Sequence, residues 1–183
     1  IQINQAGENG ATPLCITCQK GHVDVVRLLL ARKAIQINQA KESGFTPLFV
    51  TCQEGHVDVV RLLLARKEIQ INQAGEKGKT PLWTTCQEGH VDVVRLLLAR
   101  KEIQINQADE KGKTPLFITC QQGHVDVVRL LLARKEIKMN QADENGITPL
   151  FITSQGGHVD VVRLLLAREE IQINQAMNNG ATP

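Results

Sequence analysis

Residues 44–72 read GFTPLFVTCQEGHVDVVRLLLARKEIQIN. Thr46 is a helix N-cap, and Pro47 suits the first helical position, where its missing N–H costs nothing. This predicts a first helix running to about Gln53, stopped by Gly55 in the left-handed conformation. A second helix starts near His56, with Asp58 in its first turn facing the positive end of the dipole. Val57, Val59, Val60, Leu62, Leu63 and Leu64 leave it apolar around most of its circumference, as expected for a helix packed on two sides. Ala65 continues it, and Arg66 and Lys67 then place positive charge at the negative end of the dipole. Ile69 to Ala74 alternates apolar and polar at its start, which is extended character. Gly75, Glu76, Lys77 and Gly78 supply turn chemistry.

The same stretch recurs. Thr-Pro-Leu stands at 12–14, 46–48, 80–82, 114–116 and 148–150, each 34 residues on, and Thr182-Pro183 begins a sixth copy. Gly-His follows the same step. Five units are framed as 7–40, 41–74, 75–108, 109–142 and 143–176, with partial units at 1–6 and 177–183. A two-helix unit of this size cannot bury both faces alone. Stacked copies can, each covering the next at the roughly 8–10 Å spacing of packed helices. The fold expected is therefore all-α: one array over 1–183, a curved rod on the order of 50 Å long.

Gly-x-Thr-Pro-Leu, then Gly-His-x-x-Val-Val-x-x-Leu-Leu, then Ile-Asn is similar to the ankyrin repeat. The resemblance covers essentially the whole chain and implies a solenoid of helix-turn-helix units with hairpin-like fingers. There are three departures. The period is 34 where the repeat usually has about 33. Lys33, Lys67, Lys101, Lys135 or Glu169 stands where a glycine usually ends the second helix. Cys15, Phe49, Trp83, Phe117 or Phe151 replaces the usual histidine after Thr-Pro-Leu.

Composition excludes several function classes. The 183 residues carry a formal charge of +2, which gives no general pull toward nucleic acid or membrane. No apolar stretch approaches the roughly 20 residues that span a bilayer. Aromatics make up 3% and tyrosine is absent, so aliphatic side chains must fill a thin, regular core.

The chemistry-bearing residues share repeat positions. His22, His56, His90, His124 and His158 fall on one position of every copy, each with an Asp two residues on. A ladder does not converge on a point as a metal or acid–base site must, so these read as structural. Cys18, Cys52, Cys86 and Cys120 form another ladder, with Ser154 in the fifth copy. At roughly 9–10 Å between rungs they lie beyond the ~7 Å limit for a disulfide and read as small, reduced core residues. Unpaired cysteines favour a cytoplasmic setting. Nothing resembles a phosphate loop, a dinucleotide fingerprint or a nucleophile–base pair. The expectation is a non-enzyme without cofactor or metal. The ladder Phe49, Trp83, Phe117 and Phe151 reads first as core, and second as a part-exposed apolar stripe.

Positions that differ between copies are free to carry specificity. Across the fingers they read Asn9/Ala11, Ser43/Phe45, Lys77/Lys79, Lys111/Lys113, Asn145/Ile147 and Asn179/Ala181. Two basic fingers are flanked by fingers bearing Phe45 and Ile147. On the first helix Lys20, Glu54, Glu88, Gln122 and Gly156 also vary. The resemblance implies a protein partner bound by fingers and concave first helices. The basic fingers and their apolar flanks lead to the expectation of a partner with an acidic patch bordered by apolar groups. The candidate contact residues are Phe45, Glu54, Lys77, Lys79, Trp83, Glu88, Lys111, Lys113 and Ile147. A second expectation comes from the ends. Ile1–Pro13 and Ile171–Pro183 differ at only two positions, Gly7/Met177 and Glu8/Asn178. Copies of the chain stacking end to end would build a filament, a structural role.

Overall fold

The computed structural model of the protein describes residues 2–178 and Gly180. The expected sixth start at Thr182-Pro183 and the finger pair Asn179/Ala181 lie outside the described residues. The chain divides into two compact units, Ile1–Ile103 and Gln104–Pro183. Among the described residues all regular structure is helical.

The first unit holds α1 (Pro13–Gln19), α2 (Val23–Leu30), α3 (Pro47–Glu54), α4 (Val57–Leu64), α5 (Pro81–Glu88) and α6 (Val91–Leu98). The second holds α7 (Pro115–Gln122), α8 (Val125–Leu132), α9 (Pro149–Gln155) and α10 (Val159–Leu166). Each odd-numbered helix pairs with the even one after it. First helices stack on first helices, α1 on α3 on α5 and α7 on α9. Second helices do likewise, α2 on α4 on α6 and α8 on α10. This is the arrangement of stacked helix-turn-helix units that the resemblance to the ankyrin repeat implies.

Local chemistry sets the ends. Thr46 Oγ1 accepts the Phe49 N–H at 3.1 Å, and the other cap threonines do the same. Gly55 ends α3 at φ 75°, a backbone that L side chains rarely adopt. It also makes room: a Cβ there would stand 2.8 Å from two atoms of the His90 ring. His90 Nε2–H donates to the Gln53 carbonyl at 2.9 Å, and His56 and His158 reach Gln19 and Gln121 in the same way. These three histidines are thus stitches, each from one repeat to the first helix of the repeat before it.

The second helices end with the apolar run, at Leu64 in α4, one residue short of the expected continuation through Ala65. Ala65 is the C-cap of α4, and the Arg66 N–H donates back to Leu63 O at 3.1 Å, tightening the last turn. The side chain of Arg66 crosses to the previous repeat, where Nη1 donates to the orphan carbonyl of Leu30 at 2.8 Å. Arg100 does the same to Leu64 at 2.6 Å. The positive charge therefore serves the neighbouring helix terminus as well as its own. Ile69 to Ala74 is not a strand. The Gln73 N–H donates to Gln70 O at 3.3 Å, folding a turn whose Ile71 is buried. Asparagine side chains latch such turns across repeats. Asn38 Nδ2 donates to Glu68 O at 2.7 Å, and its Oδ1 accepts the Gln70 N–H at 2.9 Å.

The core follows the ladders. Leu48, Cys52, Val59, Val60 and Leu63 are fully buried in the first unit, and Leu116, Cys120, Val128 and Leu131 in the second. The five cysteines are free and buried. Cys18 bonds the Thr51 side chain, Cys52 that of Thr85 and Cys120 that of Thr153. Burial pushes the Cys18, Cys52 and Cys120 thiols up to about 12, against the smaller lowering by those hydrogen bonds. A protonated thiol of this kind is a core residue, not a nucleophile.

Candidate protein-interaction surface

The fingers at 7–11, 41–45, 75–79, 109–113 and 143–147 are five-residue loops built on one plan. In the first unit the Lys41 N–H donates to Phe45 O at 3.1 Å and the Gly75 N–H to Lys79 O at 3.0 Å. In the second, the Asp109 N–H donates to Lys113 O at 3.1 Å and the Asp143 N–H to Ile147 O at 2.9 Å. Neighbouring loops are zipped by backbone bonds: Glu76 N–H to Ser43 O at 2.9 Å, and Glu144 N–H to Lys111 O at 3.0 Å. The variable side chains thus project from a hydrogen-bonded frame. Lys77 sits at φ 61°, a left-handed conformation that is uncommon without glycine.

In the first unit, Lys77 is exposed and Lys79 half-buried. The Lys79 ammonium lies 4.3 Å from the centroid of the Trp83 ring. Trp83 itself is only 3% exposed, so it lies beneath the surface as the platform for Lys79. Such a contact contributes about 0.5–1 kcal/mol at an exposed site and limits where the ammonium can go. Phe45 is half-buried. Its ring stacks on Phe49 at 4.1 Å, 5° from parallel, and lies against Gly75, with the Lys41 ammonium 5.5 Å from its centroid. Phe49, Trp83 and Phe117 are buried, so the core reading of the aromatic ladder holds for them, while Phe151 is half-buried.

Glu54 and Glu88 are exposed and close α3 and α5 as their last residues. A carboxylate at a helix C-terminus meets the negative end of the dipole, so neither supports its own helix. From Pro81 to Glu88 the rise is about 10 Å at 1.5 Å per residue. The Lys77/Lys79 finger and Glu88 therefore stand at opposite ends of one first helix, basic at the finger and acidic at the far end.

In the second unit Lys111 is exposed, Lys113 half-buried with its ammonium 5.4 Å from the Phe117 centroid, and Ile147 half-buried. Gln122 takes the place of the glutamates, so this unit is basic at the finger and neutral at the helix end. Asp109 and Asp143 brace the fingers from inside. Asp109 Oδ1 accepts the N–H groups of Lys111 and Lys113 at 3.0 and 2.9 Å, and Asp143 those of Asn145 and Ile147 at 2.9 and 3.0 Å. Sequence reasoning missed these two and Lys41. The signal was present: this position reads Gly7, Lys41, Gly75, Asp109 and Asp143, and an aspartate opening a turn accepts from the residues two ahead.

Among the described residues no group of three or more His, Cys, Asp or Glu is placed to hold a metal. No helix among them is long and apolar enough to cross a membrane. Comparison with curated proteins gives no match to this chain. Comparison with protein families matches residues 1–75 and 65–143 to ankyrin repeats in three copies, and residues 145–178 to a further ankyrin repeat. Proteins built from such repeats are generally non-catalytic modules that bind other proteins. With helix pairs stacked in each unit and the family matched nearly throughout, the chain belongs to the ankyrin-repeat family.

Proposed function

We propose that the chain is a non-catalytic interaction scaffold, one array in repeat phase, that docks a partner protein on its finger tips and concave first helices. Lys77, Lys79, Lys111 and Lys113 meet acidic groups of the partner, Phe45 and Ile147 border them, and Glu54 and Glu88 set polarity along the helices. Trp83 contributes by holding Lys79. The observation that carries this reading is the Lys79–Trp83 contact at 4.3 Å. An ammonium already restrained on a ring loses less side-chain entropy on binding than a free lysine. The partner segment facing the first unit then carries acidic groups near the finger and a basic group about 10 Å away, opposite Glu88. Reduced, buried cysteines suit a reducing compartment such as the cytoplasm.

The test starts from a displayed peptide library biased toward Asp and Glu with flanking apolar residues. Peptides selected on the protein are titrated with Trp83, the single tryptophan, as the fluorescent reporter. Changing all four finger lysines to Glu should weaken binding at least about 30-fold, since four charges at roughly 0.5 kcal/mol each amount to that factor. Undiminished binding by a variant with full helix content would refute the finger-tip reading.

A second reading is favoured by where apolar surface is exposed. Val25 is 43% exposed, whereas Val59 one repeat on is fully buried; Leu166 is 52% exposed, whereas Leu132 is 4%. Ile16, Leu28, Val159 and Ile173 are exposed at the same two ends. Copies of the chain stacked end to end would cover these residues as the internal repeats do. Such a junction needs Asn174 of one copy to take the bonds that Asn4 now makes, with Ala34 O at 2.7 Å and the Gln36 N–H at 2.9 Å. Residues 2–6 therefore compete with assembly. Light scattering over a concentration series checks this: mass should climb, and climb more after removal of residues 1–6, while a constant mass near 20.2 kDa for both chains ends the reading.

A further inference from the structure

We propose that the groove formed in the second unit by the loops after α8 and α10 binds a phosphate group. The groove encloses about 500 Å³. Its walls include Arg134, Lys135, Lys138, Arg168 and Glu170, over a floor containing the buried Met139.

Departures from the repeat make this groove different from its counterparts. Arg66 and Arg100 are each engaged twice, by a carbonyl of the previous repeat and by the glutamate two residues on. Arg134 pairs with Glu136 at 2.9 Å. Arg168 occupies the same repeat position, yet among the described residues it bonds neither Leu132 O nor Glu170. Its planar fork of N–H donors is open to the groove. Lys138 stands where the other copies have Gln2, Gln36, Gln70, Gln104 and Gln172. Its backbone N–H is held by Asn106 Oδ1 at 2.9 Å, which fixes the loop, while its ammonium has no partner among the described residues. The same holds for the ammonium of Lys135. The far wall is fixed too, because Asn140 Nδ2 donates to Glu170 O at 2.8 Å.

Among the described residues, three unpaired cations thus share a groove with one unpaired carboxylate, Glu170. Glu169, which replaces the lysine of the other copies, does not line it. The excess of two positive charges matches a phosphate monoester, which carries about −1.5 to −2 near neutral pH. Arginine recognises such a group through paired N–H donors and lysine as a point charge. A single carboxylate would neutralise only half of the excess. The phosphate belongs either to a small molecule or to a phosphorylated side chain, and the chemistry at the groove is the same.

The probes are inorganic phosphate and a capped Gly-phosphoserine-Gly peptide, with its unphosphorylated form as control. Titration is followed by backbone amide NMR. Saturable shifts should centre on residues 134–141 and 168–170, and be absent with the control peptide. Lys138→Gln restores the residue of the other copies, so folding is retained, and affinity should fall about tenfold. Arg168→Gln should lower it further, and Glu170→Gln should raise it severalfold. Phosphopeptide binding tighter than inorganic phosphate points to a phosphorylated partner, and equal binding to a small molecule; either supports the site. No saturable shift in the groove, or affinities unmoved by all three substitutions, overturns it.

Discussion

Val25 and Val59 occupy the same position in the identical octapeptide helices Val23–Leu30 and Val57–Leu64. Only the repeat packed on them differs, and it leaves Val25 at 43% and Val59 at 0% exposure. Replacing either by Ala removes two side-chain carbons and brings the same gain in helix propensity, about 0.5 kcal/mol. At Val59 the lost transfer free energy is about 1.6 kcal/mol, from about 0.8 kcal/mol per carbon. The cavity left between stacked helices adds up to about 1 kcal/mol. At Val25 nearly half of the side chain is already wet and no closed cavity forms, so the loss is about 0.9 kcal/mol. After the propensity gain, Val59→Ala should destabilise by about 1–2 kcal/mol and Val25→Ala by about 0.4 kcal/mol. Urea unfolding followed by far-UV circular dichroism measures both on one scale. Equal losses, within about 0.5 kcal/mol, would refute the argument that burial by the neighbouring repeat holds these helices together.

Three further substitutions and conditions test other parts of the account. Thr51→Val removes a buried hydroxyl that donates to Pro47 O at 2.6 Å and bonds Cys18; stability should fall by about 1–3 kcal/mol in the same assay. Gly55→Ala places a Cβ against the His90 ring at a φ of 75°, whereas Gly157, at φ 69°, has nothing within 4 Å. Gly55→Ala should therefore cost clearly more than the roughly 1–2 kcal/mol of left-handed strain that Gly157→Ala incurs. Alkali provides the third test. The folded-state values of Cys18, Cys52 and Cys120 lie at about 12, above the unfolded value of 9.0, so their neutral forms stabilise the fold below pH 9. As pH rises from 9 toward 12 the unfolded chain loses thiol protons that the folded chain keeps. Stability should drop by about 1.4 kcal/mol per thiol per pH unit. With no tyrosine to titrate, replacing the three cysteines by Ala should flatten this slope, and thiol labelling at pH 8 should require unfolding.

The helices were legible because their signals are local. Thr46-Pro47 and Gly55 mark the ends of α3 within one turn, and the apolar run Val57–Leu64 needs burial on two sides whatever covers it. The stitches between repeats were not. Arg66 looks like a charge placed for its own helix until the fold brings Leu30 O, 36 residues back, within 2.8 Å. Ile69 to Ala74 looks extended because two alternating isoleucines say nothing of the asparagine latch that bends it. At the fingers, Lys77 and Lys79 stand out by comparing copies, since both depart from their neighbours. That Lys79 lies over Trp83, or Lys41 over Phe45, depends on loop closure bringing together residues four apart. The unengaged Arg168 is invisible in sequence, because Glu170 stands at the position where Glu68 and Glu102 form their ion pairs.

The finger-tip account is tested most directly by locating a selected acidic peptide on the isotopically labelled protein by amide NMR. The account expects shifts at residues 75–83 and 109–117, extending along α5 toward Glu88, and lost when Lys77, Lys79, Lys111 and Lys113 are changed to Glu. Shifts confined to the second helices α2, α4, α6, α8 and α10, with the fingers unmoved, would contradict it.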